Sequence, residues 1–215
     1  ENNHAGARTQ QIRMLRTSGQ TEKALEIVRA ELATDPAIER RIVLQNEIAQ
    51  LLTELGREPQ AVVAAYLDVL EYEPDHTEAL AGIEEPARRL NLWDELARAF
   101  RGAPQTPRNV EVLAEALAKI AEWSELVEVR RKQLEAAETT QEKARRANEL
   151  AVLYEEQLGD VDGAVRMLLI AQAAQPDDKR NAKLLELLRR TQRWAEVVVV
   201  LERELPNIKP TDTKR

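Results

Sequence analysis

Few side chains in this sequence could do covalent chemistry, and their spacing argues against it. There are two histidines, His4 and His76, and no cysteine. The serines are Ser18 and Ser124, and neither has a histidine placed to activate it. No HExxH pair, histidine cluster or EF-hand loop is present to hold a metal. Without cysteine there is no disulfide, thiolate nucleophile or cysteine-ligated zinc. The seven glycines are dispersed and build no phosphate-cradling loop. Carboxylate pairs such as Glu84-Glu85 and Glu155-Glu156 stand in Glu-rich helical stretches and read as solvated faces. The expectation is a protein that is not an enzyme, with no catalytic residue, no metal and no cofactor.

Binding chemistry is better represented. Asn46 and Asn148 open two echoing phrases, Asn46-Glu47-Ile48-Ala49-x-Leu51-Leu52 and Asn148-Glu149-Leu150-Ala151-x-Leu153-Tyr154. At such equivalent places an amide can both donate to and accept from a ligand backbone. Arginine pairs at Arg40-Arg41, Arg88-Arg89, Arg130-Arg131, Arg145-Arg146 and Arg189-Arg190 could track phosphates if several shared one groove. Three Trp, three Tyr and one Phe are too few for a stacking platform, and a net charge of −7 disfavours nucleic acid and anionic membrane. A nucleic-acid-binding or transcription-regulating repeat is the runner-up reading, and the regulatory domain of a larger enzyme a weaker third.

These side chains are positioned by a repeat. Both Asn phrases run into a Leu-Gly turn, at Gly56 and Gly159, and then to Pro74 and Pro176. Trp93-Asp94-Glu95-Leu96 returns as Trp123-Ser124-Glu125-Leu126 and more loosely as Trp194-Ala195-Glu196-Val197. The outer copies are separated by about three periods of 34 residues, a period that marks stacked helical hairpins. Apolar residues recur at helical spacing, and no apolar run is long enough to cross a bilayer. The spacing predicts helix pairs over 8–17 and 21–34, 38–55 and 58–72, 77–90 and 93–101, 108–120 and 122–137, 141–158 and 161–174, and 178–191 and 193–205. Residues 1–7 and 206–215 read as disordered tails. Because the chain starts at Glu1 and not Met, it reads as a processed protein or part of a longer one.

A small residue follows a large apolar one in Ile48-Ala49-Leu52, Leu113-Ala114-Leu117 and Leu150-Ala151-Tyr154. Gly19, Gly56 and Gly159 stand at turns, Ala24, Ala61 and Ala164 early in second helices, and Pro36, Pro74 and Pro176 at repeat ends. In this the chain resembles the tetratricopeptide repeat family over about residues 8–205, with the best match in the first, second and fifth repeats. The resemblance implies an all-α, right-handed α-solenoid of about six antiparallel helical hairpins, of bacterial type. In the third, fourth and sixth repeats a Trp stands in for the glycine turn and is expected to plug the hairpin base. Pro86 falls inside a predicted helix and Gly102 ends the next one early, so an irregular junction is expected at 84–107.

The resemblance further implies a protein-interaction scaffold whose first helices line a concave groove. The groove residues would be Asn46, Gln50 and Thr53, then Glu78 and Arg88, then Arg108, Glu111 and Glu115, then Arg145, Asn148 and Val152, and finally Lys179, Ala182 and Glu186. The Lys, Asn and Arg clamp by which some members hold a C-terminal carboxylate is absent. From Glu58 to Ala87 no Lys or Arg occurs, while Glu71, Glu73 and Glu78 lie there among other acids. That stretch reads as an acidic face for a basic segment of a partner. Val197-Val198-Val199-Val200-Leu201 is apolar around most of a helix, so Val198 and Val199 are expected to pack on a partner, a further repeat or a second copy.

Overall fold

The computed structural model describes residues 2–204, and all its regular elements are helical. Two compact units divide the chain between Ala121 and Glu122. The first holds α1 (Asn2–Thr17), α2 (Thr21–Leu32), α3 (Ile38–Leu55), α4 (Pro59–Tyr72), α5 (Thr77–Leu90), α6 (Trp93–Arg101) and α7 (Pro107–Lys119). The second holds α8 (Trp123–Glu135), α9 (Thr140–Val152), a π-helical turn (Leu153–Gln157), α10 (Val161–Ala174), α11 (Asp178–Arg190) and α12 (Trp194–Glu204). Residues 2–7, read from sequence as a tail, are helical: α1 begins six residues ahead of the expected start. The expected tail at 206–215 lies outside the described residues.

Within each unit consecutive helices pair, and each second helix also packs on the next first helix: α2 on α3, α4 on α5 and α6 on α7, then α8 on α9 and α10 on α11. Helix starts are written in side chains. Thr106, Thr139, Asp160 and Asp177 each accept a hydrogen bond from a backbone N–H of the first turn they precede. His76 does the same for α5, its Nδ1 accepting from Ala79 N at 3.2 Å, which uses the residue as a cap. Pro59 starts α4, where its missing N–H costs nothing. Pro86 removes one backbone hydrogen bond, yet α5 keeps the length expected of it, and the proline is buried in the core.

The glycine turns and the tryptophan turns prove to be the same turn. Gly19, Gly56 and Gly159 are left-handed, at φ 76°, 65° and 65°. So are Asn91, Ala121 and Gln192, at 56°, 59° and 58°, each two residues ahead of a tryptophan. Tryptophan therefore does not replace the left-handed residue; it is the first residue of the helix that follows. Trp93 and Trp123 are half-buried, whereas Trp194 is 59% exposed and plugs nothing.

Large side chains interlock with small ones in the core. Leu44, Leu51, Leu52, Ile83, Leu96, Phe100 and Leu117 are fully buried in the first unit, as are Leu150, Leu184, Leu187 and Leu188 in the second. Ala24, Ala49, Ala114 and Ala164 are fully buried, as close helix crossings require, while Ala61 is only half-buried. Two helical glycines go further. A Cβ at Gly82 would collide with the Tyr66 ring, and one at Gly163 would stand 2.7 Å from Tyr154. In both units a tyrosine lies where a side chain would otherwise be.

Candidate partner-binding groove

In the first unit the first helices are laced together by polar side chains. Arg16 of α1 donates to Glu47 of α3 at 2.8 Å and also binds Glu54. Asn46 and Gln50 both donate to one oxygen of Glu78 on α5, each at 2.9 Å. Glu84, only 8% exposed, accepts from Arg88 at 3.0 Å and from Arg108 of α7 at 2.7 Å, and Arg88 reaches Glu115 at 2.8 Å. The structure thus brings Asn46, Gln50, Glu78, Arg108 and Glu115 onto neighbouring helices, and most of their polar groups are engaged within the chain, Asn46 Oδ1 being buried without a partner.

The second unit differs. α9 and α11 flank a cleft of about 600 Å³. Its floor is apolar, with Ala151 and Leu168 buried and Val152 half exposed. Arg145, Asn148 and Lys179 line it, together with Arg180, Lys183, Glu149, Glu155 and Asp177. Arg180 Nε donates to Asn148 Oδ1 at 3.0 Å, and its Nη1 bonds the Ala171 carbonyl at 3.1 Å and the Gln175 carbonyl at the end of α10. Arg145 is paired with Glu149 at 2.8 Å. Glu155 stands on the π-turn and accepts from both Lys183 at 3.1 Å and Arg190 at 3.3 Å. Its hydrogen bond holds the Lys183 ammonium above its usual pKa. Lys179 is exposed and has no counter-ion among the described residues.

Charges that are segregated along the chain are mixed in space. The base-free stretch meets arginines from elsewhere: Glu58 meets Arg29 at 3.3 Å, Glu71 meets Arg98 at 3.8 Å, and Glu84 lies between Arg88 and Arg108. Glu73, at the end of α4, is exposed. Most of the paired arginines are likewise engaged, among them Arg40 with Glu31, Arg41 with Asp35, Arg89 with Glu85, and Arg131 with Glu128. Such neutralised guanidinium groups are poor material for a phosphate track. Among the described residues no cluster of His, Asp or Glu could hold a metal ion, and no helix is long and apolar enough to cross a membrane.

On α12 the valine run splits by face. Val197 and Val200 are buried, whereas Val198 is 52% and Val199 46% exposed, beside the exposed Trp194 and Leu201.

Comparison with known proteins agrees with this architecture. A tetratricopeptide repeat profile matches residues 111–144, which carry Leu113-Ala114-Leu117 and Trp123. Among solved structures, a chain from the structure of Naa15/Naa10 bound to HypK-THB is similar at TM-score 0.58 and 15% identity, over 90% of this chain and 30% of that one. This chain therefore spans about a third of its length. A tetratricopeptide repeat protein from Parabacteroides merdae is similar at TM-score 0.45 and 14% identity, over 96% of this chain and 80% of that one. No curated protein matches significantly in sequence.

Proposed function

We propose that this chain, tetratricopeptide-like in its helical-repeat fold, is a non-catalytic scaffold holding a partner protein or peptide in its first-helix groove. The cleft between α9 and α11 is the principal contact, and the outer face of α12 at Val198 and Val199 is a second. One observation carries this reading. In the first unit most facing polar groups of the first helices bond one another and the cleft between α1 and α3 is only about 260 Å³, while the second unit keeps a cleft of about 600 Å³ with an apolar floor at Val152 and Leu168 and a charged rim. A largely apolar concavity with a few placed polar groups is what a peptide side chain needs for entry. Of the acidic-face residues Glu71, Glu73 and Glu78, Glu71 and Glu78 are engaged within the chain, which leaves Glu73. A basic partner segment is accordingly the second choice.

Selection of a random displayed-peptide library on the whole chain tests the reading, run in parallel on Val152→Asp. The expected outcome is enrichment of peptides by the parent chain and loss of that enrichment in the variant, with helical content equal by circular dichroism. A library that yields no binders, or binders indifferent to Val152→Asp, overturns it.

A further inference from the structure

The charge of α11 specifies what the cleft receives. The whole chain carries −7, yet α11 holds five basic residues against two acidic ones. Where those cations meet the cleft, Lys179 and the Arg180 guanidinium have no carboxylate partner among the described residues. Lys183 pairs with Glu155 and, at 3.6 Å, with Glu186, and Glu149 and Asp177 also line the cleft, but the Arg180 guanidinium bonds only Asn148 and carbonyls. The imbalance belongs to this cleft and not to the repeat in general. Asn46 and Asn148 are equivalent, but Asn46 faces the carboxylate of Glu78 where Asn148 faces the guanidinium of Arg180. Glu155, which accepts from both Lys183 and Arg190, stands on a π-turn, an irregularity frequent at functional sites. The same cleft has the apolar floor of Val152 and Leu168.

We propose that the α9–α11 cleft binds an acidic segment of a partner protein. An apolar side chain of that segment sits on Val152 and Leu168, and Asp or Glu side chains on either side of it are received by Lys179 and Lys183. The proposal rests on the groove reading above and adds the sign of the partner's charge. Glu155 acts as the internal competitor, since a partner carboxylate takes over one of the two cations it holds. An unpaired exposed lysine also speeds encounter with such a segment, an effect that salt screens.

Three short fluorescent peptides test it by anisotropy on the whole chain: a leucine flanked by Glu and Asp, the same peptide with Gln and Asn, and the same with Lys. The acidic peptide is expected to bind at least ~10-fold more tightly than its amide counterpart at low salt, and to weaken as salt rises. Lys179→Glu should shift preference to the lysine peptide, and Lys183→Gln should weaken the acidic peptide roughly 3- to 10-fold. Lys179 makes no side-chain hydrogen bond or ion pair that its replacement would break, so the first variant reports charge and not folding. Equal affinity for the acidic and amide peptides, preference of the parent chain for the lysine peptide, or no binding by any of the three overturns the proposal. The groove reading is decided separately by display selection: binders that are basic yet lost in Val152→Asp leave the groove standing and remove the acidic partner.

Discussion

Arg180 hydrogen-bonds Asn148 at 3.0 Å and, from the same guanidinium, closes the carbonyl end of α10. One side chain on α11 thus ties α9, α10 and α11 together. Arg180→Ala is expected to lower stability by about 1–3 kcal/mol, because it removes the hydrogen bonds to the α10 end and leaves the part-buried Asn148 Oδ1 without its donor. Arg180→Lys should recover little, since a single ammonium cannot span the same acceptors. Urea unfolding measures both, and a double-mutant cycle with Asn148→Ala isolates the pair. An Arg180→Ala chain as stable as its parent would remove the tie.

Gly82 offers a case in which helix propensity and packing oppose each other. Glycine to alanine inside a helix ordinarily gains up to about 1 kcal/mol. Here the new methyl would collide with ring carbons of Tyr66, so Gly82→Ala is expected to destabilise by about 1–3 kcal/mol. Tyr66→Phe leaves the ring in place and should not rescue it; Tyr66→Leu should rescue part. Thermal unfolding of the four chains distinguishes these outcomes.

Tyr66 should also limit stability in alkali. It is buried, and burial raises its phenol pKa, helped by the charge of Glu78 and opposed by hydrogen bonding with Thr53. The native state resists an ionisation that the unfolded chain undergoes near pH ~10. The stability it contributes is therefore complete below that pH and is lost as pH rises toward the higher native value. Denaturation curves from neutral pH upward should show a steeper alkaline decline for the parent than for Tyr66→Phe.

Glu84 is the buried carboxylate that Arg88 and Arg108 share. Glu84→Ala is expected to cost about 1–3 kcal/mol, less than for a fully buried pair because Arg108 is 68% exposed. Glu84→Gln keeps an acceptor and should cost less. Chemical denaturation at low and high salt separates the two, the salt sensitivity falling in both variants.

Much of the fold was legible because helical hairpins are specified locally. Apolar spacing, turn glycines and Pro59 act within a few residues, and α3, α5, α6 and α10 run over the residues that the sequence predicts. The repeat profile, however, matches the stretch around Trp123 and not the glycine-turn repeats where the resemblance looked best. A left-handed Ala121 or Gln192 carries the same turn without the residue type that announces it. The groove was legible in part. Arg145, Asn148 and Lys179 do line one cleft, but their electrostatic setting depends on partners about one repeat away, as Asn148 and Arg180 are. The apparent acidic face illustrates the same limit, for a run without bases along the chain says nothing about which arginines cross over to it. Arg98 and Arg29 do.

The π-turn at Leu153–Gln157 accounts for an arithmetic oddity between the two Asn-bearing repeats. Asn148 follows Asn46 by 102 residues, whereas Gly159 follows Gly56 by 103. The later copy has one more residue to fit between its asparagine and its glycine. In a continuous α-helix such an insertion would turn everything after it by about 100° and point the next helix the wrong way. Here the backbone widens instead, Leu158 N bonding Leu153 O five residues back, and the surplus is absorbed within a single turn. The glycine then resumes the same left-handed geometry, 65° in both copies. Spatial phase, and not residue count, is what the two hairpins hold in common, and deleting Glu156 is the edit that should turn one into the other.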